Sequence, residues 1–128
     1  MGQHDETRRV VQAYFDAWTS KQVDAAFALL APDLVFSGPT ADYTTAEAFR
    51  PGLAAFAAMT SWAKIVDFLV DGDRAALLYD CELPAPVDVI RIASFFRVAG
   101  GRIAAYDTRF DATGFRQLMA QRAGRREA

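Results

Sequence analysis

The sequence predicts an α+β domain, with helices first and sheet second. Two periodicities and a set of turn signals carry that prediction. Apolar residues recur at helical spacing through the first half of the chain and alternate with polar ones from Trp62 onward, where three turn motifs mark out four strands. Val11, Tyr14, Phe15 and Trp18 stand at i, i+3, i+4 and i+7, which puts one apolar face on a helix over about residues 7–20. A second helix is expected over about residues 23–31, through Phe27 and Leu30, with Pro32 as its stop. Leu34-Val35-Phe36 reads as a short strand that Ser37-Gly38-Pro39 ends. Thr44 and Glu47 have capping-box spacing, so a third helix should start near Thr45. Pro51 lacks the donor that an interior position needs, which predicts a break at Arg50 and a second piece carrying Leu53, Phe56 and Met59.

In the second half the turn signals are Asp71-Gly72-Asp73, Pro84-Ala85-Pro86 and Ala99-Gly100-Gly101. Long strands joined by short turns make an antiparallel meander, and helices folded across it would bury one face of each layer. Assigning the more apolar parity to the covered face turns Leu77, Tyr79, Cys81 and Leu83 inward on one strand and Ile90, Ile92, Ser94, Phe96 and Val98 on the next. The last strand turns Ala104, Tyr106, Thr108 and Phe110 inward. On the first, where the pattern is weakest, Trp62, Val66, Phe68 and Val70 are the inward set. Asp107 and Arg109 then face outward. A one-residue bulge in the last strand would reverse that and bring the Asp107 carboxylate in.

The chain has 128 residues, 52% of them hydrophobic and 23% charged, which suits one globular domain with a real core and excludes wholesale disorder. We expect order over about residues 7–120 and a frayed basic tail over 121–128. Cys81 is the only cysteine and His4 the only histidine, so the chain can form no internal disulfide and no Cys/His zinc cluster. The Asp71-Gly72-Asp73 turn lacks the long-spaced ligands of a calcium loop, and Ala99-Gly100-Gly101 lacks the spacing of a phosphate-binding loop. No metal and no cofactor is therefore expected. The polar start and the lack of a bilayer-length apolar run predict a soluble, cytoplasmic protein without membrane contact. A net charge of −2 with dispersed arginines argues against nucleic acid as partner.

The inward hydroxyls of Tyr14, Tyr79, Ser94, Tyr106 and Thr108, among aromatic and aliphatic side chains, are the usual chemistry of a small-molecule pocket. The alternative is that these rings only fill the core, each hydroxyl meeting a backbone group. Cys81 without a nearby base reads as a small buried hydrophobe. Outward, Val89, Ala93 and Phe95 sit among Asp80, Glu82, Arg91, Asp107 and Arg109. An apolar stripe ringed by both charges suggests a homodimer through the outer sheet face, against the alternative of a solvated face with cross-strand ion pairs.

The order of elements resembles the nuclear transport factor 2-like superfamily, above all its SnoaL-like branch, which includes polyketide cyclases and relatives of ketosteroid isomerase. The segments VVQAYFDAW (residues 10–18), VDAAFALLAPDLVFSGP (23–39) and SFFRVAGGRIAAYDTRFD (94–111) carry the resemblance, which covers nearly the whole chain. It implies a strongly curved antiparallel sheet wrapped around N-terminal helices into a cone with a deep apolar cavity, and a homodimer. It also places Tyr14 where ketosteroid isomerase keeps its oxyanion-stabilising tyrosine. That enzyme's general base falls at Gly38 and its protonated acid at Ser94. The last-strand aspartate of the cyclases and of the epoxide-hydrolase relatives falls at Thr108, beside Tyr106. The family's acids are thus missing, and steroid isomerisation by that mechanism is not expected.

Two function classes follow. One is an isomerase-, cyclase- or hydratase-type enzyme acting on a small, mostly apolar carbonyl compound, with Tyr14 polarising the oxygen and Asp107 as the acid that would move the proton. The other is non-catalytic: a small-molecule binder or a dimeric interaction module. In either, Tyr14, Trp18, Phe36, Trp62, Tyr79, Cys81, Ser94, Phe96, Tyr106 and Thr108 are the candidate ligand contacts. Asp42, near the expected mouth, and Asp88, at a strand end, are further candidate acids.

Overall fold

The structure is a computed structural model that describes residues 2–127, with side chains described through residue 124. The chain folds as α1 (Gln3–Thr19), α2 (Val23–Phe27), β1 (Leu30–Ser37), β2 (Asp42–Tyr43), α3 (Ala46–Met59), β3 (Trp62–Asp71), β4 (Arg74–Leu83), β5 (Asp88–Ala99), β6 (Arg102–Arg109) and α4 (Thr113–Glu127). One six-stranded sheet, in the order β2-β1-β6-β5-β4-β3, carries the helices on its inner face. The meander β3 to β6 is antiparallel as expected, whereas β1 joins it parallel to β6. The α+β class and helix-covered sheet predicted from the sequence therefore hold, with one parallel ladder in an otherwise antiparallel sheet.

α1 forms on the predicted face, with Val10, Val11, Tyr14, Phe15 and Trp18 buried. It begins at Gln3, and Asp5 and Glu6 in its first turn meet the positive end of the helix dipole. It ends at Thr19 with Ser20 as C-cap, and Lys21 just beyond, a non-glycine residue, has φ of 68°. The Lys21 ammonium donates to the carbonyls of Ala57 and Thr60, so one side chain ties the end of α1 to the end of α3.

Four local expectations are corrected. α2 stops at Phe27, and Leu30 starts the strand instead of ending the helix. Pro32 lies where the β1–β6 register shifts between Leu30 and Val35, so no ladder bond needs its missing donor. The α3 cap is Thr45, whose hydroxyl accepts from the Ala48 amide at 3.1 Å, one residue beyond the predicted Thr44 box. Pro51 does not break α3: Pro51 and Glu47, the residue whose carbonyl would have been its partner, are both exposed, which leaves that carbonyl to water.

Two further corrections are bulges. In β3 the register slips between Ile65 and Asp67, which makes Val66 the extra residue. Ala63 and Ile65 thereby pack on the core ahead of Phe68 and Val70, while Trp62 and Val66 are 43% and 45% exposed. In β6 the extra residue is Ala104, so Ile103 is buried in its stead and Tyr106 and Thr108 keep the expected inward parity. The bulge falls before Tyr106 and leaves Asp107 outward.

α4 packs Phe115, Leu118 and Met119 against Met59, Leu83 and neighbours, and the Asp111 carboxylate accepts from the Thr113 amide at 3.1 Å. That bond holds the Asp111 carboxyl below its usual range. The helix runs through the stretch expected to be a frayed tail, although the side chains of Arg125 and Arg126 lie outside the described residues. Among the described residues, no helix is long and apolar enough to cross a membrane.

Candidate functional site

A cavity of about 120 Å³ lies between the inner sheet face and the helices. Its floor is Tyr79 on β4, Tyr106 and Thr108 on β6, and Phe110 beyond it. α3 supplies a wall of Phe49, Gly52, Leu53 and Phe56, and Trp18 of α1 closes one side. Phe36, Thr40, Ala41 and Tyr43 come from β1 and the segment into β2, and Phe115 from α4. Thr40 and Gly52 are exposed, which puts the mouth at that end. Each ring is held edge-on or stacked against others: Trp18 sits 5.8 Å from Tyr79 and 5.7 Å from Phe56, and Phe36 stacks on Phe49 at 4.3 Å.

The polar groups of this site are hydroxyls. Ser94 Oγ and Thr108 Oγ1 lie 2.9 Å apart, fully sequestered between β5 and β6. Burial raises the Tyr79 and Tyr14 phenols well above the ordinary tyrosine range, with the neighbouring Tyr106 phenol adding to both shifts. Burial also raises Tyr106, partly offset by the hydroxyls around it. All three phenols are therefore protonated donors at neutral pH, and none can serve as a base. Burial pushes the Cys81 thiol up to about 12, which removes it as a nucleophile.

Of the residues singled out from the sequence, Trp18, Phe36, Tyr79, Tyr106 and Thr108 line the cavity. Tyr14, Cys81, Ser94 and Phe96 are buried in the layer beneath, with the Tyr14 ring edge-on to Tyr106 at 5.4 Å and so screened from the lining. Trp62 lies outside, exposed by the β3 bulge. Asp107 is on the outer face, its Oδ1 3.0 Å from Arg109 Nη2, across from Phe95 and Ser37. Asp42 and Asp88 are both exposed and neither lines the cavity. Tyr43, Phe49, Phe56 and Phe115 are cavity residues that sequence reasoning passed over. Phe115-x-x-Leu118-Met119 has helical spacing after the Asp111-x-Thr113 cap, a signal that could have located the last of them.

Tyr14 Oη is buried and makes no hydrogen bond of ordinary geometry, the Tyr106 phenol beside it being a poorly placed partner. An unsatisfied buried hydroxyl destabilises, so Tyr14→Phe is expected to raise stability by about 1 kcal/mol. The check is the urea midpoint at unchanged m-value; a variant less stable than the parent would mean that the phenol is satisfied after all.

Residues 11–106 match the family described as SnoaL-like domain. No curated protein matches the sequence. Among solved structures, a protein from Kribbella flavida is 29% identical over 91% of this chain and 95% of its own, with a TM-score of 0.82. A candidate polyketide cyclase from Sinorhizobium meliloti is 26% identical over 79% of this chain and 94% of its own, with a TM-score of 0.72. An epoxide hydrolase of the LEH-like type from M. tuberculosis shares the fold at 21% identity, covering 94% of this chain and 98% of its own, with a TM-score of 0.72.

Proposed function

The chain belongs to the SnoaL-like family, and on that premise we propose that it binds a small, neutral, mostly apolar molecule carrying a carbonyl-type oxygen. The observation that carries this reading is a cavity walled by aromatic rings whose polar groups are hydroxyls; among the described residues no Asp, Glu, His, Lys or Arg lines it. An ionised ligand would lose its hydration there with no countercharge, whereas a carbonyl oxygen can accept from Tyr79, Tyr106 or Thr108. Family membership favours a second reading, turnover of the isomerase, cyclase or hydratase kind. Tyr106 would then polarise the carbonyl, and the acid expected to move the proton, Asp107, is on the opposite face of the sheet. Binding is therefore the better-supported function.

The test is a thermal unfolding series with acetophenone, its hydrocarbon counterpart ethylbenzene, and benzoate. Acetophenone at 100 times its dissociation constant should add about 2.7 kcal/mol, several degrees in midpoint. Ethylbenzene should bind more weakly and benzoate not at all. A stronger response to benzoate, or no response to any of the three, overturns the proposal. In a Trp62→Phe background, Trp18 in the cavity wall is the sole remaining tryptophan and gives an independent fluorescence readout.

For the outer face we propose a second copy of the chain as partner. Leu69 and Phe95, 61% and 51% exposed, lie in one cross-strand row with Ala76 that ends at Asp107, and the next row holds Leu78 and Ala93 between Asp67 and Arg109. Arg74 and Arg97 stand directly opposite one another at one end of these rows, an unfavourable pair in isolation, and Glu82 lies at the other end. A two-fold axis through the apolar rows sets each arginine pair over the partner's Glu82. Phe95→Glu should convert the dimer to a folded monomer by sedimentation. A monomeric parent, or a variant that stays dimeric, overturns this interface.

A further inference from the structure

We propose that the stacked Phe36–Phe49 pair limits the ligand to a single ring, and that residue 38 is glycine because only glycine seats Phe36 in that position. The inference rests on the binding reading above and specifies its ligand class: monocyclic neutral carbonyl compounds such as simple cyclic enones and aryl ketones. A volume of about 120 Å³ is close to the roughly 150 Å³ apolar cavity that admits benzene, and well under the ~300 Å³ at which pockets for larger ligands begin. The limit is built from rings that fix one another. Phe36 and Phe49 lie 4.3 Å apart at 25°, and each meets Tyr106 near edge-on, at 5.1 and 5.7 Å. Phe36 also pairs with Tyr43 on one side and Tyr106 on the other within the sheet, so its backbone is held from both flanks.

Gly38 closes the argument. A Cβ there would stand 2.9 Å from Phe36 Cε1, a distance that Cβ atoms essentially never show, and 3.1 Å from Cζ, so the Phe36 ring would have to shift. The same atom would lie 3.3 Å from the Ala41 carbonyl, which accepts from the Gly38 amide at 3.0 Å, so the backbone crowds it on the other side. The absence of a side chain at this position, where the family resemblance puts a general base, is thus what allows an aromatic ring to occupy the space and shorten the cavity.

The experiment titrates cyclohex-2-enone, 1-tetralone and progesterone into the parent protein, Phe36→Leu and Phe49→Leu, each carrying Trp62→Phe so that Trp18 is the sole tryptophan, and follows Trp18 fluorescence and the unfolding midpoint. Folding of each variant is checked by far-ultraviolet circular dichroism, and the two leucine variants probe the same pair from either ring. The parent should prefer cyclohex-2-enone over 1-tetralone by at least tenfold and show no saturable response to progesterone. A folded leucine variant should lose most of that preference by gaining affinity for 1-tetralone. Parent binding of 1-tetralone or progesterone as tight as that of cyclohex-2-enone overturns the size limit and leaves the binding reading standing. So does an unchanged preference in both folded leucine variants. Response to none of the three overturns the binding reading itself, and this inference with it. Gly38→Ala, if folded with unchanged affinity and size preference, overturns the role given to Gly38.

Discussion

Tyr106→Ala is expected to lower stability by about 3–5 kcal/mol, the range for removing a buried aromatic ring. For a domain of this size that is about 10–20 °C in the unfolding midpoint. The ring is the hub of the inner face: it meets Tyr14, Phe36, Phe49 and Phe96, the last stacked at 4.6 Å. Each of those neighbours loses a contact at once when it goes. Tyr106→Phe separates the ring from its hydroxyl. It should hold stability within about 1 kcal/mol while weakening acetophenone by about 2- to 10-fold, the effect of one neutral hydrogen bond. Equilibrium unfolding and ligand titration on the two variants check this. A phenylalanine variant as unstable as the alanine one would transfer the stabilising role from the ring to the hydroxyl.

Thr108→Asp is expected to make stability strongly pH-dependent. It places a carboxyl at the position where the resemblance puts the acid of the cyclase and epoxide-hydrolase relatives. Thr108 is buried beside Ser94, and among the described residues no cation lines the cavity. Desolvation should therefore raise the folded-state pKa of the introduced carboxyl above its unfolded value near ~3.9. A rise of about 2 units corresponds to about 3 kcal/mol of lost stability once the group is ionised. Below the unfolded pKa both states hold the proton and the electrostatic penalty is absent. It grows as pH rises through the interval between the unfolded and the raised folded value, and is complete above it. The difference in midpoint between variant and parent should thus be small near pH 4 and largest above about pH 6. A difference that stays flat from pH 4 to 8 would mean that the surrounding hydroxyls solvate the carboxylate as well as water does.

Local pattern carried much of the architecture. Strict alternation from Leu77 to Leu83 and from Ile92 to Val98 described the central strands correctly, because a residue in mid-sheet has neighbours on both sides and only parity is left to settle. The glycines at 100 and 101 marked a hairpin whose φ angles of 59° and 74° they alone adopt without strain. Alternation failed at Trp62 and Ala104 for one shared reason. A bulge inserts one residue against a particular partner strand, and nothing in the bulged strand's own composition announces where that partner will force the slip.

The candidate site was legible to the same degree. Tyr79, Tyr106 and Thr108 follow from parity, since they sit on strands read correctly. Tyr43, Phe49 and Phe56 lie on a two-residue strand and a helix whose orientation depends on Lys21 and Arg50, which join them to α1 and α2 through contacts far apart in sequence. Gly114 and a polar, arginine-rich composition hid α4, and with it Phe115; that helix is stabilised by the apolar cluster it completes more than by its own propensity.

Chain chemistry alone was enough to establish the α+β class, the meander and the inward hydroxyls, because side-chain type, spacing and turn residues are local properties; the loss of the family acids is what the resemblance implies. Only the folded chain could place the β6 bulge ahead of Tyr106 and so keep Asp107 outward, set the Tyr14 phenol behind Tyr106, and place Phe36 over Gly38 to shorten the cavity. Each of these depends on register and on distances between segments tens of residues apart, and such distances emerge only when the whole core packs at once.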